Sequence, residues 1–224
     1  MLSRRDQLRM ACDELGDIAA FASTLNEASL ATPSLCANWR VDDVLAHLVW
    51  NATAPPSTVV GILAMSRMRP DARMSAAFSD AAIEYRSSHT IGGIIQALEQ
   101  LSLGRRAFGP LQGMWAVGRP REFLVDSVVH HFDMRRPLGQ PRRPPDERLL
   151  GALQLAPTIA GLMGSKQRSR DLRLVATDVE WSDGWGPLVQ GSAEALLLAL
   201  TGRTPALDDL VGDGVPVLAA RVGR

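Results

Sequence analysis

Cysteine is nearly absent from this sequence; Cys12 and Cys36 are its only two. Two thiols are too few for a disulfide framework or a thiolate-built metal cluster. Net charge is absent as well. Lys+Arg and Asp+Glu stand at 24 each, which removes the electrostatic basis for nucleic acid or an anionic membrane as the main partner. No apolar run approaches the ~20 residues that a membrane span needs. The opening MLSRRDQLRMACDELGD lacks the unbroken apolar stretch of a signal peptide. The expectation is a cytoplasmic protein, monomer or homodimer. Histidine is confined to His47, His89, His130 and His131, so imidazole chemistry has four positions to draw on.

What is present is core-forming material. Hydrophobic residues make up 46% of 224 residues against 21% charged, enough for one large domain or two small ones. The pattern predicts helices from near Ser3 to Leu25, from Val41 to Ala54, from Gly92 to Phe108, from Arg121 to Arg136 and from Asp146 to Met163. The stretch EASLATPSLCANW reads as a loop. Residues 57–90 carry no decisive period, and Met65 to Met74, with Pro70, reads as a mobile connection. PLGQPRRPPDER reads as a linker. Beyond it, Leu172 to Thr177, Val179 to Trp181 and Leu188 to Gln190 read as strands. Ser192 to Leu200 reads as a capped helix and Val215 to Ala219 as a last strand. The expected fold class is α+β: a helical bundle over 1–140, a linker over 137–146, and a small α+β domain over 141–224.

The helix after Arg121 carries the chemistry. At about 100° per residue, Leu124, Val125, Val128, Val129 and Phe132 fill one apolar arc. Asp126, His130 and Asp133 form a stripe beside it, while Ser127 and His131 fall on the side expected to face solvent. Asp126 and His130, one turn apart, can share an ion. A third ligand is available at His47, which flanks the apolar arc of the Val41 helix with Asn51 one turn later. Bundles build metal sites from inward side chains on facing helices. Two histidines and one carboxylate leave a position open for water or substrate, the catalytic zinc arrangement, although the same set also suits nickel or iron. Each feature alone has a plainer meaning, a core histidine or a helix-surface hydrogen bond; their sum points to a metal. His89 reads as an exposed loop residue, and Asp133 as a partner for His130 or for Arg135 or Arg136.

Two segments resemble the signatures of the mycothiol-dependent maleylpyruvate isomerase family. The first is Pro33-Ser-Leu-Cys36-Ala-Asn-Trp39-Arg-Val41-Asp-Asp43-Val-Leu-Ala-His47-Leu48. The second is Asp126-Ser-Val-Val-His130-His-Phe-Asp133-Met-Arg-Arg-Pro-Leu-Gly139. The tail, with Leu172 to Asp178, Leu196 to Arg203 and Gly212-Asp213-Gly214, resembles the family's C-terminal domain. The resemblance implies a DinB-like four-helix bundle with a small α+β domain appended. It implies a metal held at His47, Asp126 and His130, and mycothiol as thiol cosubstrate. The chain departs from the family pattern at Asp126, where Glu is usual, at Asn38, where Gly is usual, at Arg40, where a capping hydroxyl is usual, and at His131, where a small residue is usual.

The expected function is therefore an enzyme in which a metal-activated thiolate adds to a small electrophile, as isomerase or S-transferase. Arg86, Arg105, Arg119 and Arg221 are candidates to hold a substrate carboxylate. Arg221 is the expected catalytic one, because the family's anion-binding arginine lies near the C-terminus. Cys36 can approach the metal from its loop, whereas Cys12 falls within the first helix. The rival readings are a metal-stabilised binding or regulatory module without catalysis, and a bundle that binds no metal.

Overall fold

The structure is a computed structural model that describes residues 2–55, 57, 74–104, 119–160 and 163–222. Helix α1 (Arg4–Ala22) starts where Ser3 Oγ accepts from the Asp6 amide at 3.1 Å. Part of the stretch read as a loop is a short helix, α2 (Glu27–Leu30). Asn26 caps it by accepting from the Ser29 amide, a local bond that the absence of helical period conceals. Helix α3 (Val41–Thr53) lacks a capping hydroxyl, and Asp43 takes over by accepting from the Arg40 amide at 2.9 Å. Helices α4 (Met74–Ser88), α5 (Ile91–Ser102) and α6 (Pro120–Arg135) follow, with Pro120 at the first turn of α6, where a missing amide costs nothing. The third long helix, expected to reach Phe108, stops at Ser102 with Leu103 as its cap and Gly104 turning the chain at φ of 64°. Arg105 and the expected mobile connection, all but Met74, lie outside the described residues.

Helices α1, α3, α5 and α6 pack together as the bundle, with α4 against α3. Helix α7 (Asp146–Leu155) is shorter than the pattern predicts. Pro157 cannot donate to a continuing helix, and Ala156–Thr158 tightens into a 3₁₀ turn. Gly151 lets α7 lie close to α1 and α6; a Cβ there would stand 3.1 Å from Leu2 Cδ1 and 3.2 Å from Met10 Sδ.

After a short helix α8 (Ser165–Ser169) comes a three-stranded sheet of β1 (Arg173–Ala176), β2 (Ser182–Asp183) and β3 (Leu188–Gly191). The order is β2-β1-β3, with β1 antiparallel to β2 and parallel to β3, Leu174 opposite Val189. The strand expected at Val179 to Trp181 instead forms at Ser182–Asp183. Helix α9 (Ala193–Leu200) is capped by Ser192, whose hydroxyl accepts from the Ala195 amide. The strand expected at Val215 to Ala219 is a helix, α10 (Val215–Val222). Its buried residues, Leu218 and Val222, are four apart, so a helical stripe rather than strand alternation meets the core. One apolar core runs unbroken from α1, α3 and α6 through α7 to the sheet and α9. The fold is α+β, as the sequence implied.

Ser127 and His131 are a further correction, because both are buried rather than solvent-facing. Helix α6 is covered on that side too. Ser127 donates to the Phe123 carbonyl, and His131 Nδ1 meets Glu14 Oε1 of α1 at 2.7 Å. Arg135 Nε donates to His131 Nε2 at 2.9 Å, which requires a neutral imidazole. Burial lowers the His131 pKa accordingly, and the pull of Glu14 does not reverse it. Arg142 and Arg148 complete the network by binding Glu14, and both also bind Asp17 at 2.7 Å. The Pro- and Arg-rich stretch is thereby fastened to α1.

Candidate metal centre

Two helices converge on a few side chains. Helix α3 presents His47 and Asn51 one turn apart, and α6 presents Asp126, His130 and Asp133 along one stripe. The two oxygens of Asp126 face different histidines. Oδ2 lies 3.5 Å from His47 Nε2 and Oδ1 lies 3.3 Å from His130 Nε2. Asn51 Nδ2 donates to Oδ2 at 2.9 Å and fixes the carboxylate plane. The donor atoms of His47, Asp126 and His130 all lie within 4.8 Å of one another. Ligand atoms ~2.0 Å from one ion stand roughly 3.3 Å apart. Each Asp126 oxygen therefore already lies near ligand spacing from one imidazole, and small side-chain adjustments would bring one oxygen and both nitrogens onto a common ion. The shorter Asp in place of the family's Glu is accommodated without loss of reach.

The other nitrogen of His130 is equally constrained. His130 Nδ1 is 2.8 Å from Asp133 Oδ2, which leaves Nε2 aimed at the triad. Asp133 is in turn held by Arg203, with Nε to Oδ1 at 2.9 Å and Nη2 to Oδ2 at 2.5 Å. Cys36 closes the group: its thiol donates to Asp133 Oδ2 at 3.1 Å, and Sγ lies 3.6 Å from His130 Nδ1. Cys36, His130 and Asp133 are close enough to form a second ligand set. The Arg203 guanidinium, which also donates to Cys36 Sγ at 3.3 Å, already supplies the cation there. A second metal ion would face that charge directly.

The loop that carries Cys36 is built for this position. Ser34 receives and returns bonds across it, its amide donating to the Trp39 carbonyl at 2.8 Å, and the Leu35 amide donates to the Asp133 carbonyl at 3.1 Å. Asn38 turns the chain with φ of 67°, the left-handed region that glycine favours and asparagine tolerates. This explains why the chain can depart from Gly there. Trp39 then packs on the imidazoles, 4.8 Å from His47 and 6.0 Å from His130 between ring centres. Its indole N–H donates to Ser79 Oγ at 2.6 Å.

Burial would by itself raise the Asp126 pKa, but the charges and hydrogen bonds of His130 and His47 drive it well below the usual carboxylate range. Burial opposes charge on His130, yet Asp126, Cys36 and Asp133 together hold it well above the usual imidazole value. Asp133 is likewise brought down to about 2, against its burial, by Arg203 and His130. His47 goes the other way, lowered by burial more than Asp126 raises it, and its Nδ1 is buried without a partner. Without a metal, then, the proton on His130 Nε2 sits where a cation would sit.

Of the residues singled out from sequence, His47, Asp126 and His130 are brought together, and Arg221 is elsewhere. Arg221 Nη1 donates to the Arg168 carbonyl at 2.9 Å and to that of Arg170. Arg86 binds Asp42 at 2.8 Å, and His89 is exposed and stacked on Tyr85. Cys12 is buried inside α1, where desolvation pushes its thiol up to about 11. Arg203 is the functional residue that sequence reasoning missed. It follows helix α9 in a segment whose local sequence carries no sign of a bond to Asp133.

The family described as mycothiol maleylpyruvate isomerase N-terminal domain matches residues 11–135, more than half of the chain, with the whole of the first signature segment and the second as far as Arg135. The chain belongs to this family. Two solved structures are similar over 95% of this chain and 93% of theirs: the mycothiol-dependent maleylpyruvate isomerase (17% identity, TM-score 0.53) and a histidine-to-alanine mutant of the mycothiol-dependent maleylpyruvate isomerase (16%, 0.54). At that identity the likeness establishes the fold, including the part beyond residue 135. No curated protein matches by sequence. Among the described residues no helix is long and apolar enough to cross a membrane.

Proposed function

We propose that this member of the maleylpyruvate isomerase family binds one divalent metal ion, zinc fitting best, through His47 Nε2, Asp126 and His130 Nε2. It uses the ion for thiol-dependent chemistry on a small electrophile, as an isomerase or S-transferase with mycothiol as cosubstrate. The observation that carries this reading is Asp126 standing between two imidazole Nε2 atoms at 3.5 and 3.3 Å. The ion's contribution when bound is to favour the thiolate of a thiol at its open position.

The remaining work belongs to the chain. Asp133 accepts the Nδ1 proton of His130 and so keeps Nε2 available as a ligand. Arg203 holds Asp133 ionised, and Asn51 holds Asp126. Trp39 covers both rings and limits water on that side. The thiolate adds to one carbon of an activated alkene, and the π electrons move onto the conjugated carbonyl as an enolate. The former double bond, now single, rotates, and collapse of the enolate expels the thiolate with the alkene isomerised. In S-transfer the enolate carbon takes a proton, such as the one the thiol gave up, and the adduct is released instead. Arg203 is the cation brought to the site, so it is the first candidate to balance a substrate carboxylate in place of Arg221, which is bound to the Arg168 and Arg170 carbonyls elsewhere.

The test is thiol-dependent turnover of the zinc-loaded protein, with mycothiol and maleylpyruvate and then with other electrophiles. Turnover that requires both the thiol and His47 supports the reading. A loaded protein inert to a broad panel of electrophiles would favour the non-catalytic module.

A further inference from the structure

We infer that the C-terminal part of the chain carries a second ligand site, an oxyanion cleft formed by Arg168, Arg170 and Arg221, distinct from the metal centre. These three line a cavity of about 490 Å³ together with Gly164, Gln167 and Asp171. The lining therefore brings together three arginines and one acidic residue. That carboxylate, Asp171, is itself exposed and engages Arg170 Nε at 3.4 Å. Among the described residues neither Arg168 nor Arg221 has an acidic partner. Their recorded bonds go to backbone carbonyls: Arg168 to Met163 and Leu200, Arg221 to Arg168 and Arg170.

Those carbonyl bonds fix the arginines without neutralising them. Arg168 Nη1 is tied to the end of α9, and its Nε is buried with no partner. Gly202 and Gly164 leave room for the guanidinium; a Cβ at either would lie within 3.2 Å of it. Burial and the charge of Arg203 both lower the Arg168 pKa, as expected where positive charge is uncompensated. A preformed, partly desolvated group of guanidinium forks is the arrangement that recognises a planar carboxylate or a phosphate. The ligand class is a small molecule bearing such a group. The cleft backs on to the Thr201-Gly202-Arg203 segment, which holds Asp133.

Calorimetric titration of the full-length protein with inorganic phosphate and, separately, with succinate tests this. Saturable binding of at least one is expected, and which of the two binds more tightly assigns phosphate or carboxylate as the preferred group. Arg170→Gln and Arg221→Gln should each weaken it roughly 10-fold, the loss of one charge-assisted contact. Asp171→Asn should tighten it by removing the opposing charge. Arg170 is largely exposed, so its variant gives a result even if Arg221→Gln fails to fold. An Asp126→Ala/His130→Ala variant should bind the anion unchanged. No saturable binding of either probe, affinity unaltered in Arg170→Gln, or binding lost with the metal ligands would each overturn the proposal.

Discussion

Arg203 and Asp133 form a two-point ion pair, Nε to Oδ1 at 2.9 Å and Nη2 to Oδ2 at 2.5 Å, across 70 residues of chain. The same Asp133 carboxylate accepts from His130 Nδ1. The C-terminal segment thus reaches into the bundle and steadies one of the three candidate metal ligands.

Replacing Asp133 with Asn should weaken metal binding ~10–100-fold, because the Nδ1 proton loses its anionic acceptor and His130 its orientation and basicity. Zinc competition against a chromogenic chelator measures this. Arg203→Ala should also destabilise the fold by about 3 kcal/mol, since it takes the guanidinium from a buried carboxylate and leaves only His130 and Cys36 to satisfy it. Denaturant unfolding checks that figure.

Metal affinity should fall as pH falls. His130 holds its proton to well above the usual imidazole value, and an ion at Nε2 must displace that proton. Uptake at about pH 8 should be markedly tighter than at about pH 6 and should release protons. Affinity measured in parallel with proton release in weakly buffered solution tests the sign; affinity independent of pH would remove His130 from the ligand set.

The Glu14 network makes a separate statement about stability. Burial would raise the Glu14 pKa, but His131 and Arg142 bring it down to about 2 from an ordinary 4.5. A depressed carboxylate stabilises fully above its unfolded value and loses that contribution as pH drops from 4.5 through about 2. The amount is ~3 kcal/mol. Glu14→Gln should lower neutral-pH stability and flatten the acid limb of a stability-against-pH curve.

Legibility followed the range of the interactions. The stripe of Asp126, His130 and Asp133 is a property of one helix, and a period of 3.6 displays it. His47 with Asn51 is legible for the same reason. His131 was misplaced because what buries it is Glu14, 117 residues away, together with a loop arginine. A single helix's arc could not show that both sides of α6 are covered. Val215 to Ala219 reads as a strand, but the buried pair Leu218 and Val222, four apart, belongs to a helix that packs on the core. Arg203 was invisible as a site residue because nothing local marks an arginine after a helix end as the partner of Asp133.

Asn38 offers a local test of the first signature. At φ of 67°, Asn38→Gly should be neutral or slightly stabilising, whereas Asn38→Val should cost about 1–2 kcal/mol and loosen the loop that carries Cys36 and Trp39. Thermal unfolding of both variants distinguishes backbone conformation from side-chain contact as the constraint.

The central claim is the metal itself. The most direct measurement is elemental analysis of the protein purified without added metal and again after zinc incubation and dialysis, beside an Asp126→Ala/His130→Ala variant checked for helical content. The account predicts about one ion per chain in the native protein and none in the folded variant. A native protein that stays metal-free after incubation would contradict it, and would leave the His130–Asp126 ion pair as a structural bridge.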